Sequence, residues 1–279
     1  MFYLINKTKG NSSRKEVDLF SKKLNHVKMG HSGTLDPLAT GLLLIATQED
    51  TKLLQYITFK NKKYYVHGKF GYATSTYDVE GEVTFTSNNM VTEEDFLSNV
   101  KKLSTLKTQI PPKFSAKKIN GKRAYELARN ENFDFEIKAQ NIEIFDYKVV
   151  YFDYQNQTFG IEFNVSEGTY IRSLIYDLGL MSNSYATMTD LVRTGIGVLD
   201  ISELKQEEYV KIDPFRIIQL SHYNYTKSEQ KLLKNGVGFE VKLSDQDTIL
   251  LLNQNKEISG IAQIKNSFLS VKKIFPERI

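Results

Sequence analysis

The stretch that most limits what this chain can become is Gly30–Gly41, GHSGTLDPLATG, with the apolar run Leu42-Leu43-Leu44-Ile45-Ala46 directly behind it. Five apolar residues make a buried strand. The twelve before it are polar, carry one imidazole (His31) and one carboxylate (Asp36), and are punctuated by Gly30, Gly33 and Gly41. Pro37 biases Asp36 away from helical backbone toward an extended or turn conformation. Glycines let a loop bend tightly or approach a ligand. The expectation is a polar loop that presents Asp36 beside a buried strand. Taken alone, the same residues also describe a structural Asp-Pro turn in which Asp36 and Thr34 bond local amides, and that is the commoner use of such a cluster.

The rest of the chain narrows the chemistry. There is no cysteine, so disulfides, thiolate catalysis and cysteine-bound metal are excluded. The four histidines, His26, His31, His67 and His222, have no metal-binding spacing. The N-terminal MFYLINKTKG lacks a signal-peptide core, and no eighteen-residue apolar run occurs, so the expectation is a cytoplasmic protein without membrane contact. Net charge is only +4 but unevenly placed. From Lys101 to Arg123 there are eight basic residues and no acidic one, and Lys60, Lys62 and Lys63 run into Tyr64 and Tyr65. Lysines attract a polyanion and neighbouring aromatics stack on bases. A merely solvated lysine-rich surface has the same composition.

Element by element, Phe2–Ile5 reads as a strand. A helix follows, capped by Ser12 or Ser13, with Glu16 at capping-box spacing from Ser13. Thr51–Phe59 reads as helical and Tyr64–Phe70 as a strand. Thr92 opens a helix running to about Leu106, with acids in its first turn. A short helix is expected from Arg123 to Arg129. Ile142–Tyr154 and Thr158–Val165 pair as strands, and Tyr170–Gly179 is a helix with Gly179 as C-cap. Arg172 falls in that helix's first turn, where the dipole disfavours a cation. Either a specific anion or a nearby surface carboxylate would account for it. After about Leu220, short apolar runs between turns describe a small all-β module carrying nine basic and six acidic residues.

GHSGTLDPLATG, with Gln48-Glu49-Asp50-Thr51-Lys52, Lys63-Tyr64, Thr74 to Gly81 (TSTYDVEG) and Gly168-Thr169-Tyr170-Ile171-Arg172, resembles the TruB family of pseudouridine synthases over the whole chain. The resemblance implies isomerisation of uridine at position 55 in the T loop of tRNA, with no cofactor and no metal. It implies an α+β fold with a mixed, mainly antiparallel sheet, flanking helices and an inserted RNA-gripping loop at about 107–130. Residues 1–219 would be the catalytic domain and 220–279 a PUA-like RNA-binding domain. Asp36 matches the catalytic aspartate, His31 a substrate contact, Tyr64 the tyrosine stacked on the flipped base, and Arg172 the arginine paired with the aspartate. Leu191 and Tyr170 fall at substrate-binding positions. Lys7, Lys113, Lys117, Lys118, Lys122 and Arg123 would contact RNA.

The implied partner is the tRNA T-arm stem-loop, met by a monomer needing no other protein. Thr8 replaces a family proline, Glu167 a basic or neutral residue, and Val192 an arginine. A non-catalytic RNA-binding protein, or a synthase for another RNA, would share the basic loop and the β-module. A pure binder needs no isolated carboxylate facing a polyanion, and the short chain without basic tails favours a stand-alone enzyme on tRNA over a synthase for another RNA.

The chemistry suits the residues. Breaking the N1–ribose bond develops positive charge on the sugar, which a carboxylate stabilises, either by attacking the sugar or by removing a sugar proton. Arg172 would keep Asp36 charged. The base must leave the stack to react, and Tyr64 offers a stacking face and a hydroxyl able to relay a proton.

Overall fold

The computed structural model describes residues 1–115, 118–119, 122–123, 137–205 and 207–279, with backbone only at 118–119 and 122–123. Lys117 and the expected helix from Arg123 to Arg129 lie outside the described residues, as do the side chains of Lys118, Lys122 and Arg123. The chain divides into two compact units, Met1–Gln55 with Phe59–Ile212, and Tyr56–Thr58 with Asp213–Ile279.

The first unit is built on a nine-stranded sheet. Its strands are β1 (Phe2–Lys7), β2 (Met29–His31), β3 (Thr40–Thr47), β4 (Lys62–Phe70), β5 (Ile144–Asp153), β6 (Thr158–Val165), β7 (Ala186–Ile196), β8 (Leu199–Asp200) and β9 (Tyr209–Ile212). The order is β5-β6-β4-β7-β3-β1-β9, with β8 on β7 and β2 on β3. All neighbours are antiparallel except β7 and β3, which run parallel through Val192 opposite Thr40 and Arg193 opposite Gly41. Gly41 has φ of +99°, and a Cβ there would lie 2.3 Å from the Arg193 carbonyl oxygen, so no larger residue fits this crossing.

Strand alternation sorts the core. Tyr64, Val66 and Phe70 of β4, with Phe159, Ile161 and Phe163 of β6, meet two helices, α2 (Glu93–Leu103) and α3 (Ile171–Met181). Tyr3 and Ile5 of β1 and Leu43 and Ile45 of β3 meet Val17 and Phe20 of α1 (Ser13–Lys23). The expected helix at Thr51–Phe59 is instead a 3-10 segment, Gln48–Tyr56.

At one helix end the structure decides between two expected caps, and at another it departs from expectation. Ser12, not Ser13, caps α1 by accepting from the Lys15 N–H, and Ser13 is freed to bond the loop before Asp36. Gly179 is not a C-cap. Helix α3 continues to Met181, and a Cβ on Gly179 would lie 2.2 Å from the Ala186 backbone nitrogen. The glycine therefore lets the entry to β7 press against the helix.

The second unit carries a five-stranded sheet of β10 (His222–Asn224), β11 (Phe239–Glu240), β12 (Gln246–Leu252), β13 (Ile258–Lys265) and β14 (Phe268–Ile274), in the order β10-β12-β13-β14-β11. One eight-residue helix, α4 (Lys227–Lys234), opens on a Thr226/Glu229 capping box. Leu233, Ile249, Leu251, Ile264 and Leu269 form its core.

Candidate active site

Asp36 sits in the loop between β2 and β3, and that loop is tied down on every side. Ser13 Oγ donates to the Leu35 carbonyl at 3.0 Å and accepts from the Leu35 N–H at 2.7 Å. The Gly10 N–H donates to the Pro37 carbonyl at 2.8 Å, and the Ala39 N–H to the Asp36 carbonyl at 3.1 Å. Lys7, at the end of β1, spends its ammonium on three carbonyls: Thr8 at 2.9 Å, Pro37 at 3.1 Å and Ala39 at 2.6 Å.

Lys7 is wholly buried, and that burial holds its ammonium below the ordinary lysine range. It has no surface to offer a phosphate. The expectation that Lys7 contacts RNA is corrected here to a support beneath the Asp36 loop. Thr8 also finds a use, because its N–H and hydroxyl both bond the Glu16 carboxylate, and a proline there would lack that N–H.

The Asp36 carboxylate faces Arg172. Arg172 Nη2 donates to Asp36 Oδ1 at 3.1 Å, and Nε lies 2.9 Å from Oδ2. The arginine side chain is 5% exposed and the aspartate 31%, so the carboxylate alone looks outward. The guanidinium is fixed from behind. Nη1 donates to the Thr76 carbonyl at 2.9 Å and lies 3.5 Å from Asp78 Oδ2, while Nη2 also donates to the Phe114 carbonyl at 3.2 Å. Asp78 is anchored in turn by the Thr76 hydroxyl at 2.6 Å and the Glu80 N–H at 3.0 Å. The anion expected for this helix-start arginine is therefore a carboxylate pair, and only one member meets solvent. The α3 N-terminus is held by Gln109, whose side chain accepts from the Tyr170 N–H at 2.9 Å and donates to the Tyr170 carbonyl at 3.0 Å.

Asp36 lies in the walls of two cavities. The larger, about 770 Å³, is lined by His31, Asp36, Asp78, Phe114 and Arg172 among others. The smaller, about 320 Å³, is lined by Asp36, Lys62, Tyr64, Tyr170, Leu191 and Arg193 among others. The expected residues Asp36, Tyr64, Tyr170 and Leu191 thus share one cavity, and His31 and Arg172 join Asp36 in the other. Burial, with Arg193 and Arg14 nearby, pushes His31 below its ordinary value, which leaves a neutral imidazole at pH 7. Its Nδ1 accepts from the Gly33 N–H at 3.3 Å, a binding geometry rather than that of an acid. Burial raises the Tyr170 phenol. Lys113 is exposed, in the segment just before Phe114.

Two residues of the small cavity were not singled out from the sequence. Arg193, 1% exposed, donates from Nε to the Leu42 carbonyl at 2.7 Å and from Nη2 to the Gly33 carbonyl at 3.3 Å, and lies beside the Tyr64 phenol. Lys62, 6% exposed, donates to the Lys60 carbonyl at 2.9 Å. The signals were Leu191-Val192-Arg193 and the Lys60/Lys62/Lys63 cluster. That cluster is split by the strand: Lys62 turns inward and Lys63 outward, so it is not one basic patch.

The model for the N-terminal domain of TruB family pseudouridylate synthases matches residues 21–171. The chain belongs to the TruB family. It is 42% identical to tRNA pseudouridine synthase B of Mycoplasma mobile, over all of this chain and 96% of that one. Identity to tRNA pseudouridine synthase B of Mycoplasmopsis pulmonis is 39%, with the same shares covered. Among solved structures, one of a Cbf5–Nop10–Gar1 complex superposes with a TM-score of 0.65 at 20% identity, over 98% of this chain and 84% of that one. At that identity the likeness carries the fold alone, an α+β fold on a mainly antiparallel sheet.

Proposed function

We propose that this TruB-family chain isomerises uridine to pseudouridine at position 55 in the T loop of tRNA. The observation that carries the reading is a single outward-facing carboxylate, Asp36, held by an otherwise buried arginine in the wall of a cavity that also holds Tyr64. The order of events follows from bond making. The uridine leaves its stack and its base enters beside Tyr64, Leu191 and Tyr170. The N1–C1′ bond breaks, and Asp36 opposes the positive charge that develops on the ribose. The base rotates, C5 joins C1′, the C5 proton leaves and N1 takes one up. Tyr64, whose phenol lies beside Arg193, relays the C5 proton.

His31 contacts the substrate in its neutral form. Lys113, with Lys117, Lys118, Lys122 and Arg123, contacts the phosphates of the T arm. Residues 220–279, on a PUA-like pattern, bind RNA outside that arm. The enzyme works as a cytoplasmic monomer without cofactor or obligatory partner.

The test is Asp36→Asn, which is nearly isosteric but cannot oppose cationic charge as a carboxylate does. T-loop isomerisation should be abolished, while tRNA binding survives or tightens because a negative charge next to RNA has been removed. Turnover by the purified variant, above a contamination control, overturns the assignment.

A further inference from the structure

The small cavity holds two buried cations, Lys62 and Arg193, and Asp36 acts on Arg193 without pairing directly with either. Among the described residues, neither Lys62 nor Arg193 forms an ion pair with a carboxylate. Glu167, an acid of that wall whose charge bears on Lys62, lies 3.9 Å from Lys60 instead. The two cations flank one point in the Asp36 loop. A side chain beginning at Gly33 would lie 3.9 Å from Lys62 Cε and 4.0 Å from Arg193 Nη1. Burying a charge without a counter-charge is costly and persists where a ligand or a network compensates it.

The two are not equivalent. Arg193 is spent on Gly33, Leu42 and Tyr64. Lys62 has one described acceptor, the Lys60 carbonyl, for an ammonium with three donors. It retains capacity for something that enters the cavity.

What enters must be anionic, and its shape is set by the other walls. Tyr64, Ile171 and Leu191 are flat or apolar surfaces suited to a planar ring. The reaction generates such an anion. When N1–C1′ breaks, the bonding pair leaves with N1, so the detached uracil carries one negative charge spread over the ring nitrogens and carbonyl oxygens. The matching positive charge on the sugar meets Asp36. The charge on the base is returned when C5 bonds C1′; C5 then loses its proton and N1 takes one up, so the product is neutral. We infer that Lys62 is a catalytic residue that holds the uracil anion between cleavage and reattachment; this rests on the isomerase reading above. An ammonium fixed where charge develops acts as oxyanion-hole donors do, favouring the transition state over the neutral bound base.

The experiment compares uridine with 5-fluorouridine at the reacting position of a T-arm stem-loop, in single turnover with the full chain. Fluorine at C5 withdraws electrons, so the departing base needs less help. Lys62→Met keeps the stem and removes the charge, and Lys62→Gln supplies the same comparison if the Met variant does not fold. Removing one such donor should slow cleavage of uridine by about a hundredfold, and 5-fluorouridine much less.

Affinity for the stem-loop and its salt dependence should stay unchanged, because a buried lysine on the base releases no phosphate counterion. Equal slowing of both substrates would mean that Lys62 only shapes the wall, and an unchanged rate would remove it from the chemistry. A weaker affinity with a salt slope reduced by about one would assign Lys62 to a phosphate. Any of these three results overturns the proposal. A wild-type chain that leaves the uridine intact overturns the isomerase reading itself, and this inference with it.

Discussion

Arg172 and Arg193 brace the same loop from opposite ends and are both almost wholly buried, but one faces two carboxylates and the other only carbonyl oxygens and a phenol. Arg172 sits in a charge-balanced cluster whose one outward member is Asp36. Arg193 sits beside Lys62 in a wall whose acids, Asp36 and Glu167, form no described ion pair with either cation. The difference teaches that burial of a charge has two uses here. At one end it aims a carboxylate, and at the other it leaves positive potential for a substrate that becomes negative. Between them the enzyme offers opposite charges to the two fragments of a breaking glycosidic bond.

The comparison can be broken by removing each arginine. Arg172→Met strands Asp78, whose side chain is 3% exposed, next to Asp36. Breaking a buried pair in this way should cost about 3–5 kcal/mol of stability. Arg193→Met frees the Gly33 and Leu42 carbonyls but also removes a buried charge that had no carboxylate, so it should cost about 1–3 kcal/mol. Urea unfolding of both variants checks the order, and an Arg193 variant less stable than the Arg172 one would contradict it.

A backbone test asks whether the Arg193 end is as rigid as its contacts suggest. Gly41→Ala would force a Cβ to 2.3 Å from the Arg193 carbonyl at a positive φ, and should cost about 3 kcal/mol or more. Gly30→Ala, in strand β2 with its nearest neighbour at 3.4 Å, should stay within about 1 kcal/mol. Thermal melts of the pair decide this, and similar losses would argue against a fixed crossing.

The smallest effect is the dependence on pH. Burial first, then Arg193 and Lys60, bring the Lys62 ammonium down to about 8, with Glu167 acting the other way. In the unfolded chain it titrates near its ordinary 10.5. Between those values the unfolded chain holds a proton that the folded chain has released, so the stability contribution of Lys62 rises with pH across that window. Below 8 its penalty is constant. From pH 7 to 9 the gain should be about 1 kcal/mol, and absent in Lys62→Met. Activity should move the other way, falling as Lys62 loses its charge above about 8. Urea midpoints and single-turnover rates at both pH values, for wild type and variant, test the two signs together.

The local patterns around Asp36, Tyr64 and Arg172 (an Asp-Pro loop, an alternating strand, an arginine out of place at a helix start) left structural readings open, and it was the resemblance of whole motifs to the TruB family that marked all three as site residues. The strand Thr158–Val165 was legible to the residue because its apolar alternation is strict. Lys7 was misread because KTKG looks like a surface turn, and nothing local reveals that the distant Pro37 and Ala39 carbonyls join that of Thr8 on its ammonium. Arg193 and Lys62 were missed for a related reason. A cation's burial is decided by what the sheet stacks against it, and the strand alternation that could have separated Lys62 from Lys63 was outweighed by the run of like charges.

The parallel crossing of β7 on β3 also governs the order in which this molecule can come into being. Arg193 reaches Leu42 across 151 residues of chain, whereas the hairpin of β5 and β6 closes over a short turn. Contacts of such long separation form only after the entropy of a large loop has been given up, and they slow folding. The hairpin can assemble early, but the Asp36 loop has no Arg193 beneath it until the last third of the first unit has docked. Catalytic competence is therefore a late event in folding, and a chain caught before that crossing closes would have most of its core and none of its chemistry.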